Sequence, residues 1–212
     1  MSATELVLVR HGETAWNAVR RIQGHTDIAL NERGHEQARR AGRRLAGESV
    51  DAVVSSDLAR AHQTACAIAQ ACGLQVRVDA RLRERAFGAF EGCDHVQLRR
   101  DRAQDYARWK SREPDFALPG GGESLHVFHH RVEQVLHELA AEHADRRVVV
   151  VAHGGVLDAA YRLATGLALD APRSFDVLNA SINRLRCADG RFELAAWADV
   201  SHLQASLDDA DL

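Results

Sequence analysis

The chain has 212 residues, 46% of them hydrophobic and 27% charged, with a formal net charge of -3. That length and apolar content suit one globular core, and two independent domains would each fall near the small end of the usual range. The nearly balanced charge gives no electrostatic case for nucleic acid or a membrane surface as partner.

In chain order, the first apolar run is Leu6-Val-Leu-Val9, which ends abruptly in Arg10-His11-Gly12 and predicts a buried strand. It is too short for a signal peptide or a bilayer span, so the expected compartment is the cytoplasm. The cysteines at 66, 72, 93 and 187 form no CxxC pair and no metal-finger spacing, which fits reduced thiols there. Asn31 is placed to cap a helix running to Leu45. Asp51-Ala-Val-Val-Ser55 reads as a second strand, followed by a helix from about Asp57 to Ala71 and a short strand at Val76 to Val78. Phe90 to Leu118 is charged, carries Tyr106 and Trp109, and has no strand-like run. It reads as a small helical cap insertion over about residues 90–120.

Gly120-Gly-Gly122 breaks the chain. After it, Leu125, Phe128, Val132, Val135, Leu136 and Leu139 recur at helical intervals and lead into Arg147-Val-Val-Val-Val151, the strongest strand signal. Ile182 to Cys187 and Phe192 to Trp197 are the last strand candidates. The polar tail over about 204–212 is expected to be loose. Residues 1–212 are thus expected to form a single domain of the α/β class. It would be a three-layer sandwich whose mostly parallel central sheet is flanked by helices, with the cap inserted.

In open α/β sheets ligands bind beyond the carboxyl ends of the strands. Arg10-His11-Gly12, Ser55 to Arg60 and His153-Gly154-Gly155 follow three such strands, and Arg83-Glu84-Arg85 lies just after a fourth. Arginines grip phosphate oxygens bidentately. Histidines serve as nucleophile or donor near neutral pH, and glycines let the backbone approach. A helix N-terminus after Ser55-Ser56 is expected to add anion affinity. Two guanidinium charges match a dianionic phosphate monoester without a metal, and no HExxH or comparable ligand spacing is present.

Leu8-Val-Arg-His-Gly-Glu-Thr14 with Asn17 resembles the signature of the histidine phosphatase superfamily, which includes cofactor-dependent phosphoglycerate mutases. Four further blocks follow in family order: Gln23-Gly24 with Asp27 to Leu30, Ser55 to Ala65, Leu82 to Gly92, and Gly121 to Ser124 together with Val151 to Gly155. The resemblance implies that His11 is the nucleophile and that Arg10, Arg60 and His153 grip the phosphoryl oxygens. Asn17 and the Gly154 backbone would assist, Gln23 and Gly24 would contact substrate, and Glu84 would exchange protons with the leaving oxygen and water. His11 must be neutral and Glu84 protonated, so a bell-shaped rate profile is expected.

Other readings compete. Glu84 stands between Arg83 and Arg85, where a surface ion pair would serve as well. Among the 12 histidines, those at 35, 62, 95, 126, 129, 130, 137 and 143 default to solvated surface, and His202 receives no role. Tyr106 and Trp109 read as packing for the cap. Arg99-Arg100-Asp101-Arg102 reads as a solvated helix face.

Mutases of the family carry a longer insertion, a tyrosine after the glutamate loop and an asparagine two residues beyond the second histidine. Here the insertion is short, the loop reads Arg85-Ala86-Phe87-Gly88, and Gly155 takes the asparagine's place. The expectation is therefore a cofactor-free phosphatase acting on small phosphorylated molecules. In the mutase alternative 2,3-bisphosphoglycerate would be the cofactor. An inactive phospholigand-binding relative should have lost one of the main residues, and none is lost. A homodimer is compatible with the sequence, which carries no interface signature.

Overall fold

A strand of consecutive apolar residues places side chains on both faces, so both must be covered. Strand β1 (Thr4–Arg10) does this: Leu6 and Leu8 join one core cluster and Val7 and Val9 the other, all fully buried. Strand β4 (Arg147–Ala152) repeats the pattern, with Val148 and Val150 on one face and Val149 and Val151 on the other. The structure, a computed structural model, describes residues 3–204. The tail expected to be loose lies, beyond residue 204, outside the described residues.

Strands β2 (Ala52–Ser55), β3 (Val76–Val78), β5 (Ile182–Ala188) and β6 (Arg191–Asp199) complete one sheet in the order β3-β2-β4-β1-β5-β6. The first four run parallel, whereas β5 pairs antiparallel with β1 and β6 antiparallel with β5. The mostly parallel sheet expected from the sequence is therefore present, with an antiparallel edge.

The short helix α1 (Ala15–Ala18) follows β1. Helices α2 (Glu32–Ala46) and α3 (Ala59–Cys72) cover one face, packing Ala41, Leu45, Ala61, Ala65 and Ile68 against Val7, Val9, Val149 and Val151. Asn31 caps α2, its side chain accepting from the Gly34 N–H at 2.8 Å. After the cap helices α4 (His95–Asp101) and α5 (Ala103–Lys110), helix α6 (Leu125–Glu142) buries Phe128, Val132, Leu136 and Leu139 on the opposite face. Helix α7 (Gly154–Thr165) lies beside it, and the periodicity did not single it out. It opens with two glycines, the weakest helix formers after proline. Burial of Val156, Leu157, Ala159 and Ala160 in the same cluster stabilises it instead.

The cap is helical, as expected, and has its own small cluster. Phe90, Leu98, Phe116 and Leu118 are buried there, with Tyr106 and Trp109 packed against them.

Register positions everything that follows. Val9 pairs with Val151 and Arg10 with Ala152, while Ser55 on the other side of β4 pairs with Val151. The residues that leave these strands next, His11, His153 and Ser56, therefore emerge level with one another.

Leu136 is fully buried at the centre of the α6 face. Leu136→Ala should cost about 2–5 kcal/mol of folding stability through lost burial and the cavity left behind. Urea titration should show a lower midpoint with an unchanged slope. A loss well under about 1 kcal/mol would mean that α6 is not fixed to the sheet as described.

Candidate active site

The level strand ends bring two imidazoles together. The rings of His11 and His153 lie 5.2 Å apart between centroids, tilted at 58°, and both are buried. His11 Nδ1 sits 2.7 Å from the Gly12 carbonyl oxygen. A carbonyl only accepts, so Nδ1 carries the proton and the neutral ring keeps its lone pair on Nε2. The Gly12 N–H donates to Thr64 Oγ1 at 3.0 Å, and Asn179 Nδ2 donates to the His11 carbonyl at 3.0 Å, so the backbone on both sides of the ring is fixed. His153 Nε2 lies 2.9 Å from Ser56 Oγ, the contact that the β2–β4 register makes available. Burial, then the charges of Arg10 and Arg60, hold the His11 pKa well below the usual imidazole value. Burial, then Arg60, His11 and Arg10, do the same to His153.

The arginines are anchored by backbone oxygens. Arg10 Nη1 donates to the Val177 carbonyl at 2.5 Å, and Arg60 donates to the carbonyls of Gly24 at 2.7 Å and Thr26 at 3.0 Å. Burial pulls the Arg10 pKa down to about 10, with Glu84 opposing, so the group stays cationic at neutral pH. Of the seven buried side-chain nitrogens without a hydrogen-bond partner among the described residues, three gather at the site, Arg10 Nε, Arg60 Nε and His153 Nδ1, the others lying on His143 and His202. Buried polar groups are nearly always paired, and three unpaired nitrogens gathered at one place suit an oxygen-rich anion.

Glu84 does not form the ion pair that its sequence neighbours allow. Arg83 makes a two-pronged contact with Asp57 at 2.8 and 2.5 Å, and Arg85 grips the Glu123 carbonyl at 2.9 and 2.7 Å. The Glu84 carboxylate instead accepts from the Gly155 N–H at 3.1 and 3.0 Å and from the Arg85 N–H at 2.8 Å. It thus sits at the N-terminus of α7, beside His153. A Cβ on Gly155 would stand 2.1 Å from Glu84 Oε1, so a side chain there displaces the carboxylate. His25 Nε2 donates to the Glu84 carbonyl at 2.8 Å and braces the loop from the far side.

The segment carrying Gln23 and Gly24 is stapled down by Glu91. That carboxylate accepts from the backbone N–H groups of His25, Thr26 and Phe87 at 2.9–3.0 Å. Gly24 holds φ +55, and a Cβ there would meet Glu91 Oε1 at 2.1 Å. Gln23 Oε1 lies 3.0 Å from Thr14 Oγ1, and Asn17 Oδ1 accepts from the Thr14 N–H at 3.1 Å. Each amide therefore has its NH2 group to offer the cavity.

One expectation is corrected. The N-terminus of α3 does not face a ligand: it begins at Ala59 rather than Asp57, and the Ala59 N–H donates to Asp27 Oδ1 at 2.7 Å. That helix end is already occupied by a carboxylate. The helix N-terminus at the site belongs to α7.

The cavity has a volume of about 600 Å³. Of the nine residues singled out in the sequence, Arg10, His11, Asn17, Gln23, Gly24, Arg60, Glu84 and Gly154 line it, and His153 is packed against the His11 ring. Trp109 and His95, assigned to packing and surface, also line it, stacked on each other at 5.5 Å. His25, Asn179 and the group of Arg112, Asp158 and Arg173, which also lines the cavity, belong to none of the motifs legible in the sequence. An acid and a base four apart, Asp158 and Arg162, in an otherwise apolar helix was the signal available for that group. Among the described residues, no cluster of three or more His, Cys, Asp or Glu is placed to hold a metal, and no helix is long and apolar enough to cross a membrane.

Paired guanidinium groups, two neutral imidazoles and one carboxylate around orphaned donors are the equipment of side-chain phosphoryl transfer. The chain belongs to the histidine phosphatase superfamily (branch 1), whose family model matches residues 6–200. It is 42% identical over 203 residues to phosphoglycerate mutase-like protein 4 of Arabidopsis thaliana, covering 94% of this chain and 87% of that protein. It is 40% identical over 204 residues to the metal-independent phosphoserine phosphatase of the same plant, covering 95% and 84%. A solved mycobacterial glucosyl-3-phosphoglycerate phosphatase superposes with a TM-score of 0.80 at 36% identity, covering 92% of this chain and 99% of that one.

Two measurements check this geometry. Gly155→Ala should push the Glu84 carboxylate aside and lower kcat/KM for phenyl phosphate by about 100-fold. A variant retaining more than half its activity would detach Glu84 from the α7 terminus. In 15N spectra of the free protein, His11 and His153 should remain neutral at pH 6.5, where an unperturbed imidazole is about half protonated. An imidazolium signature for either would contradict the burial described.

Proposed function

We propose that this phosphomonoesterase hydrolyses small-molecule phosphate monoesters through a phosphohistidine on His11, with Glu84 as proton donor. The observation that carries the reading is the set of orphaned nitrogens, Arg10 Nε, Arg60 Nε and His153 Nδ1, around a ring whose Nε2 lone pair is free. The phosphoryl oxygens take those three nitrogens as donors, joined by the amide groups of Asn17 and Gln23 and by the Gly154 N–H. His11 Nε2 attacks phosphorus, an N–P bond forms and the ester P–O bond breaks. The protonated Glu84 carboxyl passes its proton to the leaving oxygen. Once ionised, it takes a proton from a water whose oxygen attacks phosphorus. The N–P bond breaks, phosphate departs and the imidazole is neutral again.

The two guanidinium charges offset the dianion, so no metal and no organic cofactor is needed. The depressed His11 pKa keeps the nucleophile unprotonated well below pH 6.5. The acid limb of kcat/KM, for the enzyme's own groups, then falls below that value. Hydrolysis over mutase transfer is supported by Gly155, which stands where the mutases carry asparagine. The relatives named as phosphatases support the same choice. All four cysteines are free, which supports a cytoplasmic setting.

In chelator, protein quenched during turnover of a 32P-labelled monoester should carry label that is stable to base and labile to acid. His11→Ala should lose the label and at least about 1,000-fold of kcat. Label persisting in His11→Ala would overturn the nucleophile assignment. Rapid interconversion of phosphoglycerates dependent on 2,3-bisphosphoglycerate, with little phosphate released, would overturn hydrolysis.

A further inference from the structure

The β1–β5 ladder does not stop where the paired strands end. Val9 is the last β1 residue paired with β5, opposite Ile182. Beyond it the Arg10 N–H donates to the Ser181 carbonyl at 3.3 Å, and the Ala180 N–H is shared between the carbonyls of Arg10 at 3.0 Å and His11 at 3.3 Å. The side chain of Asn179 adds a further donor, its Nδ2 lying 3.0 Å from the His11 carbonyl and, at longer range, 3.4 Å from Asn17 Oδ1. Residues 179–181 thus satisfy every backbone polar group of Arg10 and His11 except the His11 N–H, which donates to the Ala152 carbonyl of β4 at 3.0 Å.

This strap is held in a conformation that one of its own residues disfavours. The Ser181 N–H donates to the Leu178 carbonyl at 3.2 Å and closes a turn with Asn179 and Ala180 at its corners, where Ala180 adopts φ +55 although it is not glycine. A Cβ in that left-handed region crowds the backbone, so such a residue persists only where its surroundings fix it. Here both flanks are anchored. Ahead of the turn, the Asp176 carbonyl accepts from Trp197 Nε1 at 2.7 Å, and the Phe175 ring stacks on Tyr161 with centroids 3.7 Å apart. After it, the fully buried Asn183 donates through Nδ2 to the carbonyls of Leu8 at 3.1 Å and Ser181 at 3.2 Å, while its Oδ1 accepts from the Ala198 N–H at 2.7 Å. The left-handed corner breaks off the ladder at the level where the Asn179 amide meets the His11 carbonyl.

That contact reaches the reactive nitrogen through one peptide unit. The unit between His11 and Gly12 is pinned at its oxygen by Asn179 and at its nitrogen by Thr64, and the Gly12 carbonyl that follows holds His11 Nδ1. Tilting the unit would move that carbonyl, and with it the ring and the direction of Nε2. We propose that Asn179 is a positioning residue for the nucleophile: by donating to the His11 carbonyl it fixes the peptide plane that aims His11 Nε2 at phosphorus. Asn179 is not among the residues that line the cavity, so it acts through His11 and not on the substrate. A misplacement of about 1 Å is enough to slow a displacement by roughly 100-fold. The proposal rests on His11 being the nucleophile of the phosphatase reading, whose failure shows separately in the test.

With folded enzyme in saturating excess over 4-nitrophenyl phosphate, the rate constant of nitrophenolate release is read per folded site, so a loss of folded protein does not alter it. Nitrophenolate departs with little help from a proton donor, and the constant therefore reports attack by His11 and not proton donation by Glu84. Asn179→Ala should lower this constant by about tenfold or more, while the inhibition constant of inorganic phosphate changes by less than about threefold. Asn179→Asp keeps the shape of the side chain but replaces its donor by an acceptor, and it should lose at least as much. A packing role would survive that substitution. A smaller loss in Asn179→Ala, a milder loss in Asn179→Asp than in Asn179→Ala, or a phosphate inhibition constant raised beyond that bound would overturn the positioning role. If the wild type itself releases no nitrophenolate and forms no phosphohistidine, the phosphatase reading fails, and the proposal with it.

Discussion

The site depends on one pairing register. Val9 beside Val151 and Ser55 beside Val151 set the ends of three parallel strands level, so that His11, His153 and Ser56 leave the sheet at one height. A slip of one residue in either pair would turn a valine toward the site and an imidazole into the core. Both faces of the sheet are packed with valine, leucine and alanine, which makes that slip costly. The cores on each side of the sheet therefore act directly on the geometry of the chemistry.

Within this frame, charge is placed in advance. Arg60, which is buried, and the half-buried Arg10 are held by carbonyls rather than by carboxylates, through both terminal nitrogens of Arg60 and through Nη1 of Arg10. Carbonyl partners fix position without cancelling charge, so the positive potential is kept for an incoming anion. The same potential, added to burial, keeps both imidazoles neutral. A neutral nucleophile next to an anion-seeking pocket is what phosphoryl transfer to nitrogen requires, and little reorganisation is left for the moment of reaction.

The outer part of the cavity follows a different rule. Asp158 partly neutralises a guanidinium group from the cap and one from the segment after α7, and so connects the cap to the sheet domain. The Glu91 carboxylate plays a related part for the Gln23-Gly24 segment by collecting its backbone N–H groups. In both places a carboxylate orders a loop, and residues that line the cavity owe their positions to it.

The strands, most of the helices, the family and the five principal residues were legible in the sequence because they depend on local facts. Apolar runs dictate buried strands, and Arg10-His11-Gly12 and His153-Gly154-Gly155 follow such runs directly. Helix α7 escaped because glycine at its start contradicts its propensity, and packing on the sheet outweighs that. The choice of partners was decided only in three dimensions. Glu84 prefers the Gly155 N–H to its arginine neighbours, Asp27 closes the α3 terminus, and Arg173 reaches the cavity from a loop with no local signal. Such contacts join residues far apart in the chain, and the strength of a charge pair depends on the burial around it, which no local sequence pattern records.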